Sequence, residues 1–316
     1  FDAQGNLLGN TLMDYFLPTF VETPHWETDH TVTPSPHHPL GAKGVAGIVM
    51  FGHGGEGQSF SATERLEAVK QLMAHGVAGK DILLHVGFSS WMDSVHLIRD
   101  VQPLGLRGCI VTPPLAEGSI TDLGLAEYFI QIAKNTQGTG VRLYLSSLVK
   151  GGRTDLKPNV ITDILRQSPD MFHGLIDQSH NASHTNDWIR SFVAMLPVFS
   201  TQDLNAHAMA NLGIHASISS YANLVPELMV KIVQSSAAQK VSVSGNKIGN
   251  EDERLEQFAR LFASLPVVPS LKFLMALQYR DTDWMRVRPP RSELSRESHE
   301  QIAKEFKKFN QTGAAH

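Results

Sequence analysis

The stretch AGIVMFGHGGEG, residues 46–57, decides how this chain folds. It begins with an apolar run of strand length, Ala46–Phe51, and passes directly into a glycine-rich turn, Gly52–Gly57. A helical pattern, Ala62–His75, follows the turn. Glycine lets backbone N–H groups come close to a small anion, because it has no side chain and few conformational restrictions. The stretch therefore predicts a strand–turn–helix unit whose turn is a candidate anion-binding site.

The same alternation of strand and helix continues along the chain. Six further apolar runs have strand length: Ile82–Val86, Gly108–Val111, Val141–Leu145, Phe172–Ile176, Leu196–Phe199 and Ile214–Ser219. The helical patterns between them are Trp91–Val101, Asp122–Asn135, Pro158–Gln167, Asn186–Met195 and Asp203–Leu212. Continuous apolar strands that alternate with helices favour a parallel sheet covered by helices. We count seven strands, one short of a closed eight-stranded barrel.

The chain divides into three parts by composition and by the pattern of apolar residues. Residues 1–44 form an N-terminal arm rich in Pro, His and Thr, and residues 45–223 carry the alternating pattern. Residues 224–316 form the last barrel helix and a C-terminal helical extension. Its predicted helices are Val225–Ser236, Glu251–Leu265, Leu271–Gln278 and Ser295–Phe309, the last with Ser292 or Ser295 as its cap.

Composition excludes several classes of partner. The net charge is −4 and the isoelectric point about 6.4, so we expect neither a nucleic acid nor an anionic membrane as a partner. No apolar run is long enough to span a bilayer. The one cysteine, Cys109, cannot form an intramolecular disulfide, which fits a reducing compartment, and we expect a cytoplasmic protein.

Several spaced motifs resemble the dihydrodipicolinate synthase / N-acetylneuraminate lyase family. They are GHGGEG with the following S-x-x-E-R, Thr112-Pro113-Pro114, Leu143-Tyr144, Gly174-Leu175-Ile176-Asp177, Gly213–Ser219 and Val287-Arg288-Pro289-Pro290. The resemblance implies a TIM (β/α)8-type barrel that acts on or binds a 2-keto acid such as pyruvate and assembles as a homotetramer or dimer. The matched part lacks the first β/α unit of the family.

Site residues follow from the same resemblance. Tyr144 matches the tyrosine that relays protons, and Ile176 stands where the family has its Schiff-base lysine. The predicted substrate-binding residues are His53, Gly54, Gly55, Glu56, Gly213 and His215. An aliphatic side chain cannot form an imine with a keto group. We therefore expect the standard lyase activity to be weak or absent, unless Lys150 supplies a displaced amine.

Two alternative functions stay open. One is a non-catalytic pseudoenzyme that binds a small carboxylate. The other is a metal-assisted lyase or hydratase that uses histidines at strand ends: His53, His85, His180, His184 and His215. The spacing of these histidines is not that of a metal motif, and we predict no metal and no cofactor.

The N-terminal arm resembles a different family. The segments FDAQGNLL, residues 1–8, and PLGAKG, residues 39–44, match a stretch near the end of the molybdopterin-binding large subunits of xanthine and carbon monoxide dehydrogenases. Only a small piece of such a subunit is matched, so we do not predict molybdenum binding. A closed barrel needs every strand edge paired. Either the arm supplies a surrogate strand around Asn10–Leu17, or the barrel stays open along one side.

Overall fold

The computed structural model describes residues 44–114, 120–147, 156–238 and 250–313, together with the short segment 19–22; the backbone alone is described for residues 19–22, 235–238 and 312–313. The strands are β1 Thr19–Glu22, β2 Gly47–Met50, β3 Ile82–His85, β4 Gly108–Val111, β5 Leu143–Ser146, β6 Phe172–Asp177, β7 Val198–Ser200 and β8 Ala216–Ser219. The helices of the barrel are α1 Ala62–Ala74, α2 Trp91–Val101, α3 Asp122–Thr136, α4 Pro158–Gln167, α5 Ala182–Phe192, α6 Ala206–Leu212 and α7 Pro226–Ala238. The remaining helices are α8 Asn250–Arg260, α9 Val267–Tyr279 and α10 Arg296–Gly313.

The eight strands form a closed barrel in sequence order, and β1 closes it. Strands β2 to β8 run parallel to one another, as the apolar runs predicted. Strand β1 runs antiparallel to both β2 and β8, so that Phe20 lies opposite Gly47 on one side and Ile218 on the other. A TIM barrel ordinarily has eight parallel strands. This barrel is therefore completed by a reversed strand.

The closing strand comes from the N-terminal arm. Of the two alternatives for the missing first strand, the structure has the surrogate strand, but at Thr19–Glu22 rather than around Asn10–Leu17, which lies outside the described residues. Thr19, Phe20 and Val21 are residue types that favour strands, and Pro18 precedes them. All four residues pair with β8, and Thr19 and Phe20 also pair with β2, so the arm joins the two edges of the sheet.

Three clusters of buried apolar side chains hold the fold together. One lies between the strands and the surrounding helices, and a second lies among α7 to α10. The third fills the inside of the barrel and is called here the interior cluster: Ala46, Val49, Leu83, Ile110, Tyr144, Ile176, Phe199, Ala216 and Ile218. Each of β2 to β8 contributes at least one member, and on β8 the two members, Ala216 and Ile218, are two positions apart, as side chains on one face of a strand are.

Local signals agree with the helix boundaries. Ser61 and Glu64 form a capping box at the start of α1, and the Ser298 N–H donates to Ser295 Oγ at 3.2 Å at the start of α10. The predicted cap Ser295 is thus confirmed. None of the helices in the described ranges is long and apolar enough to cross a membrane.

Candidate functional site

The glycine-rich turn lies at the carboxyl end of β2, the end of the barrel at which such folds build their sites. The N–H groups of Gly55 and Gly57 both donate to the Gly52 carbonyl, at 3.1 and 3.2 Å. A Cβ on Gly57 would lie 1.7 Å from the Phe51 carbonyl oxygen, so no other residue fits there. His53 at the tip is solvent-accessible. Within the described part of the chain, the N–H groups of His53 and Gly54 donate to no acceptor, so the turn has donors available for an anion.

Two residues of the C-terminal extension, Lys272 and Arg288, contact the glycine-rich turn. The buried Glu56 carboxylate receives Lys272 Nζ at 2.7 Å on Oε2 and the Arg288 N–H at 2.9 Å on Oε1. The Arg288 guanidinium in turn contacts Glu64 Oε1 at 2.7 Å and donates to the Ser59 carbonyl at 3.1 Å. Both Glu56 oxygens are therefore engaged by the C-terminal extension. These contacts favour a structural role for Glu56, and its predicted role in substrate binding stays a prediction.

The Arg65 side chain links the glycine-rich turn to the end of β3. Its guanidinium donates to the carbonyls of His85 and Gly57, at 2.9 and 2.5 Å, and lies 4.3 Å from the centre of the Phe88 ring. Burial lowers the pKa of Arg65 to about 10, so the side chain is still cationic at neutral pH. The S-x-x-E-R motif thus serves the turn through both Glu64 and Arg65.

Tyr144 and Ile176 lie side by side in the interior cluster, and both are buried. The Tyr144 ring occupies space left by two glycines. A Cβ on Gly108 would lie 2.6 Å from Tyr144 Cε2, and a Cβ on Gly174 would lie 2.8 Å from Tyr144 Cδ1. The ring also packs edge-on against Phe199, with centroids 5.8 Å apart. The proton relay assigned to Tyr144 stays a prediction, and its ring belongs to the apolar interior.

A polar pair lies beside Ile176 at the carboxyl end of the strands, where Ser146 is the register partner of Ile176. Gln178 Nε2 donates to Ser146 Oγ at 2.6 Å, and Ser146 Oγ lies 3.3 Å from the Ile176 carbonyl oxygen. Both side chains are buried. Gln178 directly follows the last residue of β6, so the hydroxyl lies level with Ile176 and the amide just beyond the end of the strand.

Asp177 faces the opposite way and binds the strands to α5. Its fully buried carboxylate accepts the Ser179 N–H at 2.8 Å and the hydroxyls of Ser147 and Thr185, and it lies 3.1 Å from His184 Nδ1. Burial by itself would raise the pKa of Asp177, but the hydrogen bonds from His184, Thr185 and Ser179 hold it below its ordinary value. This carboxylate joins β5, β6 and α5 and does not face the mouth.

The histidines named from the sequence separate into two groups. His53, His85, His180 and His184 follow or end strands at the mouth. Burial and the nearby Arg65 lower the pKa of His85 to about 3, so this imidazole is neutral. Gly213 and His215 instead precede β8, at the amino end of the barrel, where the His215 ring lies against Phe199. The structure thus does not bring Gly213 and His215 together with the glycine-rich turn.

No group of three or more His, Cys, Asp or Glu side chains within the described ranges is placed to hold a metal ion. Lys150, the predicted displaced amine, lies outside those ranges.

Sequence reasoning missed three charged residues that the structure brings to this end of the barrel. Lys272 is the one charged residue in the otherwise apolar helix α9, a signal that could have revealed a buried partner. Burial raises the pKa of Asp203 to about 7, in spite of hydrogen bonds from the Ser219 hydroxyl and the Ser220 N–H. Arg291 directly follows the V-R-P-P motif, and its charge is, after burial, a cause of the lowered pKa of His53. No local pattern marks Asp203 or Arg291.

Known proteins resemble this chain in two ways. The model of the dihydrodipicolinate synthetase family matches residues 40–309. A probable 2-dehydro-3-deoxy-D-pentonate aldolase of Escherichia coli strain K12 is 25% identical over 238 residues, which are 74% of this chain and 76% of that protein. The crystal structure of dihydrodipicolinate synthase from Agrobacterium tumefaciens strain C58 superposes with a TM-score of 0.76 at 21% identity, over 85% of this chain and 89% of that chain. The predicted barrel is confirmed.

The second likeness is to a molybdenum enzyme subunit. A carbon monoxide dehydrogenase large chain of Hydrogenophaga pseudoflava is 62% identical over 92 residues, which are 29% of this chain. The present chain spans 10% of the length of that subunit. The predicted resemblance is confirmed, but a match of 92 residues is longer than residues 1–44, so part of it lies beyond the arm.

Proposed function

Because this chain belongs to the dihydrodipicolinate synthetase family, we propose that its barrel mouth binds a small 2-oxo acid such as pyruvate, and that Ile176 leaves it without imine chemistry. Standard aldolase or lyase activity is then weak or absent. The protein keeps the barrel of the family and the capacity to bind a carboxylate.

The position of Ile176 is the observation that carries this proposal. It lies on β6 within G-L-I-D, residues 174–177, where the family motif has a lysine. The side chain is 1% exposed and packs in the interior cluster, which contains no lysine among the residues described. Imine formation requires a neutral amine in contact with the keto carbon. An isoleucine offers neither a nucleophile nor a proton carrier. The first covalent step of the family, imine formation, therefore has no amine nucleophile at this position.

The proposed ligand follows from the donors at the mouth. The N–H groups of His53 and Gly54 supply hydrogen bonds to a carboxylate, as backbone amides in turns do for small anions. The Ser146–Gln178 pair supplies polar groups for the keto oxygen. The Escherichia coli relative is named for a 2-dehydro-3-deoxy acid, which is a 2-oxo acid, and this supports the same ligand class here.

The proposal extends to assembly and location. We propose a homotetramer or dimer in the cytoplasm, and a division of the chain into the arm 1–44, the barrel 45–223 and the extension 224–316. The mass in solution, measured by light scattering, tests the assembly.

Borohydride trapping with pyruvate tests the chemistry. The chain is reduced in the presence of pyruvate and read by intact mass and peptide mapping, and pyruvate binding is measured separately by calorimetry. We expect binding without an adduct. Ile176→Lys provides the positive control and Ile176→Met the matched control for altered packing, with an adduct expected only for the former. An adduct on any lysine of the unaltered chain would overturn the loss of imine chemistry, and failure to bind pyruvate or other 2-oxo acids would overturn the ligand class.

A further inference from the structure

We propose that the His85 side chain, inside the barrel mouth, is a third donor to the carboxylate of the ligand, beside two N–H groups of the glycine-rich turn. This inference deepens the proposed function and rests on it for the two backbone donors, the N–H groups of His53 and Gly54. It also names the chemistry that this part of the mouth accepts. The ligand group is an oxygen anion, and not a metal ion or an ammonium group.

Strand pairing fixes the direction of the His85 side chain. His85 is the last residue of β3 and the register partner of Ile110 on β4, a member of the interior cluster. Leu83, two positions earlier on β3, is also a member. Register partners, and residues two apart on one strand, project to the same face of a sheet. The imidazole therefore faces the inside of the barrel, at the carboxyl end where the mouth lies.

The imidazole lies against the first residue of the glycine-rich turn. A Cβ on Gly52 would lie 3.5 Å from His85 Cδ2 and 3.8 Å from His85 Nε2. The same Cβ would lie 3.7 Å from Val49 Cγ1, which belongs to the interior cluster. Gly52 directly precedes His53 and Gly54, whose N–H groups are the donors of the proposed carboxylate site. The ring edge and the backbone donors therefore lie at the same side of the mouth.

Arg65 holds the ring and the turn together and makes this side of the mouth positive. Its guanidinium donates to the His85 carbonyl at 2.9 Å and to the Gly57 carbonyl at 2.5 Å. Burial and the Arg65 charge lower the pKa of His85 to about 3, so the imidazole is neutral while the guanidinium stays charged. The Arg65 cation repels a metal ion or an ammonium group and attracts an oxygen anion.

The His85 ring needs a hydrogen-bond partner. The residue is 9% exposed, and its ring nitrogens form no hydrogen bond with any residue that the structure describes. Buried polar side chains nearly always have a partner. A neutral imidazole carries one N–H donor. A carboxylate oxygen bound at the turn satisfies this donor, and it does so beside the backbone N–H groups that bind the same carboxylate.

Stability and affinity together separate a ligand-binding residue from a packing residue. His85→Leu keeps a side chain of similar size and removes both ring nitrogens. Because these nitrogens have no partner in the described part of the protein, we expect an unchanged or higher melting temperature. We expect the affinity for pyruvate, measured by calorimetry, to fall at least about tenfold, because a hydrogen bond to a charged group is lost.

Two further variants complete the binding experiment. His85→Gln retains an N–H donor and should recover part of the affinity that His85→Leu loses. His96→Leu is the matched control, since His96 is exposed on α2, and it should bind pyruvate as the unaltered protein does. If His85→Leu bound pyruvate as tightly as His96→Leu, His85 would not be a ligand-binding residue.

Nitrogen NMR of the unaltered protein tests the contact without relying on a variant that must fold. Pyruvate, and acetate as a carboxylate without a keto group, should each shift the ring ¹⁵N signals of His85, which are assigned by their absence from His85→Leu. Zn²⁺ should not shift them. Unshifted signals at saturating pyruvate, or a shift with Zn²⁺, would overturn the inference and leave pyruvate binding intact. If pyruvate does not bind but acetate shifts the His85 signals, the 2-oxo acid function fails and the carboxylate donor stands; if neither acid binds, both fail.

Discussion

Glu56 and Lys272 are 216 positions apart in the chain, yet Glu56 Oε2 and Lys272 Nζ lie 2.7 Å from each other. The Glu56 side chain is 6% exposed and that of Lys272 21%. The pair joins the glycine-rich turn to helix α9, and the Arg288 N–H binds the other carboxylate oxygen. The conformation of the barrel mouth therefore depends on the C-terminal extension.

Replacing Glu56 by Ala should destabilise the protein strongly. The change leaves the Lys272 ammonium without its partner, and breaking a buried pair in this way costs about 3–5 kcal/mol in the free energy of unfolding. Glu56→Gln should cost less, because the amide still accepts a hydrogen bond. Urea unfolding gives both values. Glu300→Ala, which removes an exposed ion pair with Arg296, is the control and should stay within about 0.5 kcal/mol. Equal losses for Glu56→Ala and Glu300→Ala would contradict this account.

Gly174→Ala should disturb the barrel interior. The new Cβ would lie 2.8 Å from Tyr144 Cδ1 and 2.9 Å from Phe199 Cε2, both inside contact distance. We expect a loss of about 1–3 kcal/mol in unfolding free energy from overpacking. In the double variant, Tyr144→Leu should recover part of the lost unfolding free energy, because it removes the ring that Gly174 accommodates. A strictly additive double variant would show that the glycine does not serve the tyrosine.

Asp203 should make stability depend on pH. Its pKa is raised from the ordinary 3.8 to about 7, so the folded protein favours the neutral acid. The neutral acid therefore contributes to the stability of the folded protein. This contribution is fully present below about pH 4, where the unfolded chain is also protonated, and is lost as the pH rises through about 7. Asp203→Asn keeps a neutral side chain at every pH. We expect the variant and the parent to have similar melting temperatures at pH 4, and the variant to have the higher melting temperature at pH 8. If the two melting temperatures changed with pH in parallel, Asp203 would not be the source of the pH dependence.

Interrupting β1 should open the barrel. Val21 pairs with Ser217 in the closing strand, and proline at position 21 cannot donate a backbone hydrogen bond. Val21→Pro should expose the edges of β2 and β8 and promote association, which light scattering and limited proteolysis measure. Val21→Thr keeps the N–H group and the strand preference and is the matched control. Identical behaviour of the two variants would mean that the arm does not hold the sheet closed.

The sequence was sufficient for the barrel and for the location of its mouth. Strand and helix runs such as Ala46–Phe51 and Ala62–His75 lie close to the observed elements, because periodicity and turn residues act within a few positions of the chain. The count of seven parallel strands and the need for an eighth also came from local patterns. The capping role of Ser295 is a signal of the same short range.

The contacts that shape the site needed the tertiary structure. The position of Glu56 in a glycine-rich turn predicts a ligand-binding residue, yet its carboxylate oxygens bind Lys272 and Arg288. His215 lies in a motif of the family, yet it precedes β8 and therefore lies at the amino end of the barrel, opposite the mouth. The direction of β1 is equally invisible along the chain. Closure of the barrel brings these residues together across more than a hundred positions, and no pattern of neighbouring residues encodes which distant groups will meet.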